Sequence, residues 1–395
     1  MPREPKRDLG KRIAYHRRVA RMTQQELADA ANIHVGTLRK IERGARGASE
    51  NVLEAVGAAL GVDPSRLLGN RDWAASRVHD AMPGLSAAIA AYDIPGDGPV
   101  RSLPELRSSV SDAVSWRLAA QYVRIARRLP ELIAELSRAV HTAPTAERAE
   151  AAQLLISAYR AADAVAYKYG ALDLSARLVD LMRWAEPQAE NPLVAATVAY
   201  VRAETFFAAH AYGPGLRALE AAMDAMPAPL DVAAVASRGA LHMRAAVMAG
   251  RASDADAASL HLREAHRFAD AVSEGVYQGT AFGPDSLRVH EVSVAVSLGD
   301  AHVHRALEFA RAWAPPLTLP AERRSGFYIE LARAQLWSGL PDAAFESLKV
   351  ARRIAPQHTR EHAWVREDAA TLRRLKRADA ETLTHFAEWC HAADG

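Results

Sequence analysis

The stretch that decides the fold of the amino-terminal part is Thr23-Gln-Gln-Glu-Leu-Ala-Asp-Ala-Ala-Asn-Ile-His-Val-Gly-Thr-Leu-Arg-Lys-Ile-Glu-Arg-Gly44. Thr23 and Glu26 stand three residues apart, which is the spacing of a capping box at the start of a helix. Asn32 falls between two helical patterns, at a turn where a left-handed backbone is usual and Asn tolerates it. Gly44 is of the residue type that commonly ends a helix. The stretch therefore predicts two short helices joined by a tight turn.

Working outward from this stretch, we predict five helices in residues 1–70. They cover about Asp8 to Arg21, Gln24 to Ala31, Val35 to Arg43 and Ser49 to Leu60, with a short last helix that starts at Asp63-Pro64. Pro at the first position of a helix costs no hydrogen bond, which supports that last start. Apolar residues recur where the helices must pack against each other: Leu9, Ile13, Val19, Leu27, Ala28, Ile33, Leu38 and Ile41.

Charge is distributed unevenly along the chain of 395 residues. Residues 1–70 hold 13 Lys and Arg against 8 Asp and Glu, whereas the remainder holds 36 against 39. Basic charge at the front indicates a polyanionic partner there, and the mildly acidic remainder needs none. Cys390 is the only cysteine, so no disulfide can form within the chain. No apolar run approaches about 18 residues and no signal peptide is recognisable, so we expect a cytoplasmic protein without membrane contact.

The front segment resembles the lambda-repressor/Cro-like helix-turn-helix family, also called the xenobiotic-response-element family, over about Asp8 to Gly69. The resemblance rests on the Thr-Gln start, the Glu-Leu-Ala core, the Ile-Glu-Arg-Gly ending and the Leu-Gly-Val-Asp tail. Asn32 departs from the Gly usual at the turn, and His34-Val35-Gly36 departs from the polar residues usual after it. These departures leave the fold intact but put the base preference in doubt.

The resemblance implies that the second helix of the motif enters the major groove of operator DNA. Val35, Gly36, Arg39 and Lys40 would then face base edges. Arg39 would be suited to bidentate contact with a guanine, and Val35 to contact with a thymine methyl group. Phosphate contacts would come from Gln24, Thr37, Arg43 and Arg46.

Residues 71–104 predict a helix followed by a linker between the two domains. Arg71 to Ala91 carries an apolar stripe at helical spacing, and Tyr92 to Pro104 is rich in Pro and Gly. Helical patterns resume at Glu105, and Leu129-Pro-Glu-Leu132 predicts the start of a further helix.

Residues 105–395 predict a helical repeat domain. Proline recurs after helical segments at 187, 227, 315 and 356, with separations of 40, 88 and 41 residues. A glycine tends to separate the two helices of each unit, at Gly170, Gly213, Gly250, Gly299 and Gly339. A period of about 34–47 residues with two helices per unit is typical of a tetratricopeptide-like α-solenoid, here of roughly six units. The predicted fold class is therefore all-α: a five-helix lambda-repressor-like domain followed by this solenoid.

The repeat region also looks like the sensory part of actinobacterial regulators that join this helix-turn-helix to tetratricopeptide repeats. The residues that carry the likeness are Leu129 to Leu132, Ala281-Phe-Gly-Pro284 with His290, Leu298-Gly-Asp300, Glu322-Arg-Arg324 and Ala351 to Pro356. By architecture it is similar to Gram-positive peptide-pheromone receptors, so the resemblance implies a peptide or small-molecule effector. Candidate contacts lie on the first helix of each repeat: Arg202, Phe206, Arg238, His242, His290 and Tyr328.

Two motifs suggest other chemistry. His358-Thr-Arg-Glu-His362 matches a zinc-binding pattern, but a distant carboxylate ligand and a catalytic cleft are not evident. Gly275, Gly279 and Gly283 form a Gly-rich segment that we interpret as a loop, without the Lys-Ser/Thr of a phosphate loop. We therefore expect no enzyme activity, no catalytic residue, no metal and no cofactor.

The sequence predicts a ligand-responsive transcription regulator that binds operator DNA as a homodimer, with residues 105–395 as both the sensory and the dimerisation domain. An alternative is a regulator whose repeats recruit a protein partner without sensing a small ligand. A second alternative is an enzyme fused to a DNA anchor. A deep pocket with convergent polar groups would favour sensing, and an open apolar groove would favour a protein partner.

Overall fold

We describe the chain from a computed structural model, which describes residues 4–62, 67, 73–375 and 380–392. The chain divides into two compact units, Met1–Asp80 and Ala81–Gly395. Each unit has its own buried apolar core. The short helix predicted to start at Asp63-Pro64 lies outside the described residues and stays a prediction.

The described helices of the first unit pack around one core of aliphatic side chains. They are α1 (Glu4–Val19), α2 (Gln24–Ala30), α3 (Val35–Glu42) and α4 (Glu50–Leu60). Leu27, Ala28 and Leu38 are fully buried where α2 and α3 meet. Val19 was predicted to be available for the core, but it is 57% exposed at the end of α1, so that prediction is wrong. Leu9 and Ile13 fill the core from α1 instead.

Local backbone chemistry fixes the two helices of the motif. The Glu26 backbone N–H donates to Thr23 Oγ1 at 3.1 Å, and the Thr23 N–H donates to Glu26 Oε2 at 2.7 Å. This reciprocal pair confirms the predicted capping box. Asn32 has φ 49° and Gly44 has φ 71°, so both turns take the left-handed conformation that the sequence indicated.

One close helix crossing in this unit depends on a glycine that the sequence analysis did not single out. A Cβ on Gly10 would lie 2.3 Å from the Ile41 carbonyl oxygen and 2.6 Å from that of Glu42. Since such contacts are far below van der Waals distance, only glycine lets α1 pass over the carboxyl end of α3.

Helix α5 (Trp73–Ala90) precedes a series of helix pairs in the second unit. These helices are α6 (Leu103–Leu118), α7 (Tyr122–Thr142), α8 (Thr145–Lys168), α9 (Leu172–Ala185), α10 (Pro192–Ala208), α11 (Tyr212–Ala225), α12 (Val232–Arg251), α13 (Ala255–Ala269), α14 (Pro284–Ser297), α15 (Val303–Ala312), α16 (Ala321–Trp337), α17 (Pro341–Ile354), α18 (Pro356–Glu361), α19 (Ala363–Leu375) and α20 (Ala380–Trp389). Two 3₁₀ turns, Glu186–Ala189 and Asp300–His302, follow α9 and precede α15. The predicted fold class is confirmed: an amino-terminal helical domain followed by a helical solenoid.

Short turns within the pairs set their spacing. Gly170, Gly299 and Gly339 take left-handed conformations there, with φ between 71° and 90°. At the two remaining predicted positions a neighbouring residue does so instead: His210 with φ 52° and Ser253 with φ 60°. Gly213 and Gly250 lie inside α11 and α12, so the prediction that they separate helices is wrong.

A further prediction fails at Pro130. The sequence predicts that a helix begins there, but Pro130 lies inside α7, which runs from Tyr122 to Thr142. Pro within a helix removes one backbone hydrogen bond, which an otherwise strongly apolar face offsets. Leu129, Leu132 and Ile133 are buried on that face.

A β-hairpin interrupts the helices between α13 and α14, where the sequence indicated only a Gly-rich loop. Strands β1 (Gly275–Tyr277) and β2 (Thr280–Phe282) pair antiparallel, with Tyr277 opposite Thr280. The two linking residues, Gln278 and Gly279, have φ 47° and 72°, as a two-residue type I′ turn requires.

The hairpin is anchored at its carboxyl end. Phe282 is fully buried above Gly239 of α12, where a Cβ would lie 2.1 Å from the Phe282 Cζ atom. Gly283 has φ 149°, and its Cβ would lie 2.6 Å from Glu274 Cα. The Glu274 carboxylate in turn accepts hydrogen bonds from the Ser286 N–H and hydroxyl at 2.8 and 2.6 Å. The hairpin is therefore fixed to both α12 and α14.

First helices of successive pairs stack in order from α6 to α16 and line the inner side of this unit. The stack returns on itself because α6 also packs against α16. At the same junction the Val123 N–H at the start of α7 donates to Gln357 Oε1 of α18 at 3.1 Å. The hairpin lies on the inner side, where Arg117 of α6 donates to the Gly279 carbonyl. The repeat unit therefore encloses a central space.

Candidate functional site

The first candidate surface is the outer face of α3. His34 caps this helix, because its Nδ1 atom accepts a hydrogen bond from the Gly36 N–H at 3.0 Å. Arg39 and Lys40 are exposed on α3, and Arg43 and Arg46 are exposed just after it. Val35, Gly36 and Thr37 are half-buried, and Val35 also packs against the core. Gln24 lies at the start of α2. The eight residues predicted to contact DNA, of which Gln24 is one, therefore all lie within residues 24–46.

A buried carboxylate links the three helices beneath this surface. Glu42 of α3 accepts two hydrogen bonds from the Arg17 guanidinium, at 2.7 and 3.0 Å, and one from Gln24 Nε2 at 2.7 Å. The hydrogen bond to Glu42 raises the pKa of Arg17. The Gln24 side chain therefore has a structural partner, which the sequence analysis did not foresee. Its backbone N–H lies at the first turn of α2, where helix N–H groups have no intrahelical partner.

The second candidate site is a cavity of about 580 Å³ inside the repeat unit. Its wall combines aromatic rings with seven cationic and five carboxylate side chains. The charged wall residues are Arg117, Arg160, Asp163, Lys168, Glu204, Arg244, Arg251, Glu322, Arg323, Glu330, Glu361 and Arg366. The aromatic wall residues are Tyr167, Tyr169, Tyr200, Phe207, Tyr212 and Trp364.

Two arginines at this cavity are held by the tip of the β-hairpin. Arg117 donates through one Nη atom to the Gly279 carbonyl. Arg160 of α8 donates to the Gln278 carbonyl at 2.8 Å and to Thr280 Oγ1 at 2.7 Å. Both arginines are only 7% exposed. Burial, together with the neighbouring charge of Arg117, lowers the pKa of Arg160 to about 9.

A third arginine reaches the cavity from α16. Arg323 donates to the Tyr200 hydroxyl at 2.7 Å, and its other Nη atom lies 2.9 Å from His290 Nε2. Because a guanidinium can only donate, His290 Nε2 must accept, and its Nδ1–H then donates to the Ser286 carbonyl at 2.9 Å. Burial and the Arg323 charge lower the pKa of His290 well below its usual range. His290 is therefore a neutral imidazole that orients Arg323.

The His358–His362 motif also lies in the cavity wall, but as part of a hydrogen-bond chain. Lys168 Nζ lies 3.3 Å from His358 Nε2, and His358 Nδ1 lies 2.7 Å from the Ser325 hydroxyl. Lysine can only donate, so His358 is neutral and protonated at Nδ1. Burial and Lys168 lower the pKa of His358 well below its usual range. Among the described residues no group of three potential ligands is arranged to hold a metal ion.

Two carboxyl groups at the cavity have raised pKa values and therefore hold a proton more tightly than an exposed carboxyl group. Burial raises the pKa of Glu330 to about 7, and its Oε2 atom is buried without a hydrogen-bond partner. Burial and the nearby Glu204 raise the pKa of Asp163 well above its usual range. Asp163 accepts a hydrogen bond from the Ser175 hydroxyl at 2.6 Å. The positive wall charges therefore face fewer full negative charges than the count of carboxyl groups indicates.

Of the six predicted ligand contacts, His290 lies in the cavity wall and the other five do not. The Arg202 guanidinium stacks 5.1 Å from the Phe206 ring centroid, and Arg238 donates to the Met226 and Pro227 carbonyls. His242 stacks on Phe268 with ring centroids 5.6 Å apart. Tyr328 packs against the core formed by α16 and its neighbours.

The residues that the sequence analysis missed are Arg117, Arg160 and Arg323. Arg160 is a charged residue within a largely apolar helical stretch, which is the one signal available for a buried charge, whereas the residues around Arg117 and Arg323 are mixed and give no such signal. Their convergence depends on the hairpin and on the return of α16 to α6, and neither can be deduced from helical periodicity.

A helix-turn-helix family profile matches residues 16–67 of the chain. This range contains α2, α3 and the turn between them. A search of curated protein sequences finds no match.

Three solved structures share part of this architecture at low similarity. A complex of PlcR from Bacillus thuringiensis with the peptide PapR7 and DNA is 15% identical, with 67% of this chain and 95% of that chain covered and a TM-score of 0.27. A point mutant of PrgX is 8% identical, with 89% and 94% covered and a TM-score of 0.33. Apo ComR from Streptococcus vestibularis is 13% identical, with 95% and 99% covered and a TM-score of 0.23.

These TM-scores are too low to define the path of the repeat helices, which rests on the geometry described above. In the described part of the chain, no helix is both long and apolar enough to span a membrane. From the family match and the geometry of α2 and α3, the amino-terminal unit is a helix-turn-helix DNA-binding domain of the xenobiotic-response-element family.

Proposed function

We propose that the protein is a sequence-specific transcription regulator that senses an effector through the cavity of its repeat unit. The observation that carries this proposal is the cavity itself: about 580 Å³, lined by aromatic rings and convergent charged groups. Its volume falls within the range of small-molecule sites, roughly 300–1,000 Å³. A cavity with convergent charged groups favours sensing over the open apolar groove expected for a regulator that only recruits a protein.

We assign the DNA contacts to the exposed face of α3. Arg39 and Lys40 would reach base edges with Val35 and Gly36, and Arg39 has the donor geometry for a guanine. Thr37, Arg43 and Arg46 would contact phosphates. Gln24 would contribute its backbone N–H, because its side-chain amide already donates one hydrogen bond to Glu42.

A homodimer is the expected DNA-binding form. One helix-turn-helix reads only a few base pairs, and family members place two copies on half-sites about 34–36 Å apart. Light scattering on the full chain tests this state directly. A monomer at concentrations that saturate operator DNA would contradict it.

The operator is found by sequencing genomic fragments that bind the purified full chain. We expect a palindromic site, bound at least 1,000-fold more tightly than random DNA at the same salt concentration. The double variant Arg39→Ala with Lys40→Ala should lose this preference. Arg267→Ala, which removes a 76% exposed side chain in the repeat unit, should keep it.

Sensing is tested by repeating the DNA titration with fractions of a cell extract from the source organism. An effector can change DNA affinity only if it binds the DNA-bound and free states with different affinity. If the protein binds its operator and no fraction changes its DNA affinity, the result would favour the alternative in which the repeats recruit a protein partner.

A further inference from the structure

Charge pairing in the cavity wall is incomplete. Three of its cations have carboxylate partners: Arg244 lies 3.1 Å from Glu204, Lys168 lies 3.6 Å from Glu322, and Arg366 lies 2.6 Å from Glu361. These pairs account for much of the negative charge of the wall. Asp163 and Glu330, which both have raised pKa values, supply less.

Of the four remaining cations, Arg251 stacks 4.2 Å from the Trp364 ring centroid, and Arg117, Arg160 and Arg323 have no carboxylate partner. Within the described ranges, no carboxylate oxygen lies within 4.0 Å of any of their guanidinium nitrogens. Their hydrogen bonds go to neutral acceptors on the hairpin, Tyr200 and His290. In addition, Arg117 Nε is buried without any hydrogen-bond partner. Glu322 and Glu204 act on these guanidinium groups through space, without a direct ion pair. Burying a charge is unfavourable unless it is paired, so an anion that accepted their hydrogen bonds directly would stabilise this arrangement.

The neutral partners hold the guanidinium groups without cancelling their charge. Gln278 and Gly279 belong to a tight turn whose backbone is fixed by the buried Phe282, so their carbonyls are rigid acceptors. Each hairpin contact engages outer N–H groups of Arg117 or Arg160 and leaves other donors for a ligand. A guanidinium presents a planar set of donors that matches the oxygens of a carboxylate or phosphate.

We propose that the effector is a small molecule carrying a compact anionic group, a carboxylate or a phosphate, bound by Arg117, Arg160 and Arg323. The apolar part of the ligand lies against Tyr200 and Phe207 of α10, which line the same cavity. This inference rests on the proposed function, since it names the chemistry of the effector that the repeat unit senses.

The test uses the full-length protein and four small probes: benzoate, phenyl phosphate, inorganic phosphate and the neutral analogue benzamide. Isothermal titration calorimetry and thermal unfolding are carried out with each probe up to 10 mM, with ionic strength held constant by sodium chloride. Constant ionic strength separates binding from general screening. We expect benzoate or phenyl phosphate to bind at least tenfold more tightly than benzamide. The stronger of the two identifies the anionic group.

Variants locate the binding. Arg160→Gln and Arg323→Gln should each weaken the preferred anionic probe at least tenfold. Arg267→Gln should leave it within twofold, because Arg267 is 76% exposed on α13 and pairs with Glu264. Circular dichroism checks that each variant is folded. If Arg160→Gln does not fold, two results still test the anion site. They are the effect of Arg323→Gln and the comparison of charged with neutral probes in the wild type.

Several outcomes would overturn the inference. Benzoate and phenyl phosphate that bind no more tightly than benzamide would do so, as would anion binding that survives both substitutions. Binding of inorganic phosphate alone would show a structural ion site and would contradict an effector with an apolar part.

The DNA titration separates the two proposals. An anionic probe that binds in the cavity without changing DNA affinity at saturation would contradict sensing through this site but support the anion site. If an extract fraction changes DNA affinity but no anionic probe binds, effector sensing is supported and the anion site is contradicted.

Discussion

The α3 surface and the central cavity use the same cationic side chains in opposite ways. Arg39 and Lys40 are exposed on a short helix that the buried Glu42 ties to its neighbours, and Arg43 is exposed just after it. Arg117 and Arg160 are 7% exposed, and a hairpin tip orients them inward. Exposed cations retain their hydration and suit a long polyanion such as DNA. Buried cations have lost most of their hydration, so a single compact anion has more to contribute there.

The difference teaches that arginine content alone does not identify a nucleic-acid surface. The cavity wall of the repeat unit has seven cationic groups, yet they converge on a concave space rather than on an exposed helix face. What distinguishes the two regions is the support behind each side chain. In the first it is the capping and packing of two short helices; in the second it is a rigid turn anchored on an aromatic residue.

The largest expected effect comes from removing that anchor. Phe282→Ala should lower the free energy of unfolding of the repeat unit by about 3–5 kcal/mol, because it empties a fully buried site that the neighbouring helices cannot fill. Denaturant unfolding of the full chain measures this. Val276→Ala, at a 47% exposed position of the same hairpin, should change stability by no more than about 0.5 kcal/mol. A loss below about 1 kcal/mol at Phe282 would mean that the hairpin is not the support of the inward cations.

The next effect concerns the buried acid of the cavity. Burial raises the pKa of Glu330 to about 7, so the folded state holds its proton more tightly than the unfolded state. The resulting stability is complete below the unfolded pKa of about 4.5 and is lost as the pH rises through about 7. Glu330→Gln should remove this loss, which amounts to on the order of 3 kcal/mol at most. The variant should therefore gain stability relative to the wild type as the pH rises.

Unfolding free energies from pH 5 to 8 for both chains measure this effect. The lowered pKa values of His290 and His358 produce the opposite slope, in which stability falls as the pH drops, but they are present in both chains and cancel in the difference. A constant difference across this range would show that Glu330 is ionised at neutral pH and that the wall carries less net positive charge.

The substitution Arg39→Ala tests the exposed basic residues on α3. It should weaken operator binding by about 1–3 kcal/mol and relax base preference at one position. Arg43→Ala should instead weaken all sequences alike and reduce the salt dependence of binding, since phosphate contacts carry no direct sequence information. Fluorescence anisotropy with matched and single-mismatch operators separates the two behaviours. Equal base preference in Arg39→Ala and the wild type would place the base contacts elsewhere.

The smallest expected effect concerns the capping box at the start of α2. Thr23→Ala removes the Oγ1 atom that accepts the Glu26 N–H, leaves the backbone N–H that donates to Glu26 Oε2, and should destabilise the amino-terminal unit by about 1 kcal/mol. Amide hydrogen exchange in α2 reports this local change. Gln25→Ala, on the exposed side of the same helix, is the matched control and should alter exchange much less. Equal exchange in the two variants would show that packing rather than capping sets this helix.

Local rules predicted the first unit in detail. The capping box at Thr23 and the left-handed turn at Asn32 each involve residues close in sequence, which is why the pattern alone revealed them. The boundaries of the repeat helices were less predictable. His210 and Ser253 take left-handed conformations that residue type does not favour, because the packing of the helix pairs requires the turn there.

The cavity was beyond the reach of periodicity. Arg160 meets Gln278 across 118 positions of sequence, and Arg117 meets Gly279 across 162. A pattern read along one helix contains no information about such distant partners. Five of the six predicted ligand contacts lie outside the cavity wall for the same reason: Arg202 and Arg238 stand on first helices, but their side chains contact partners close in sequence.

The return of α6 to α16 has a consequence for how this unit folds and evolves. In an open solenoid each repeat contacts only its neighbours, so repeats fold in sequence and can be gained or lost singly. Here Val123 must meet Gln357 across 234 positions, which makes folding slow and cooperative because distant segments have to meet. Deleting or duplicating one pair would also displace every residue on the far side of the ring. Gain or loss of one helix pair would therefore break the junction between α6 and α16, a constraint that an open solenoid does not have.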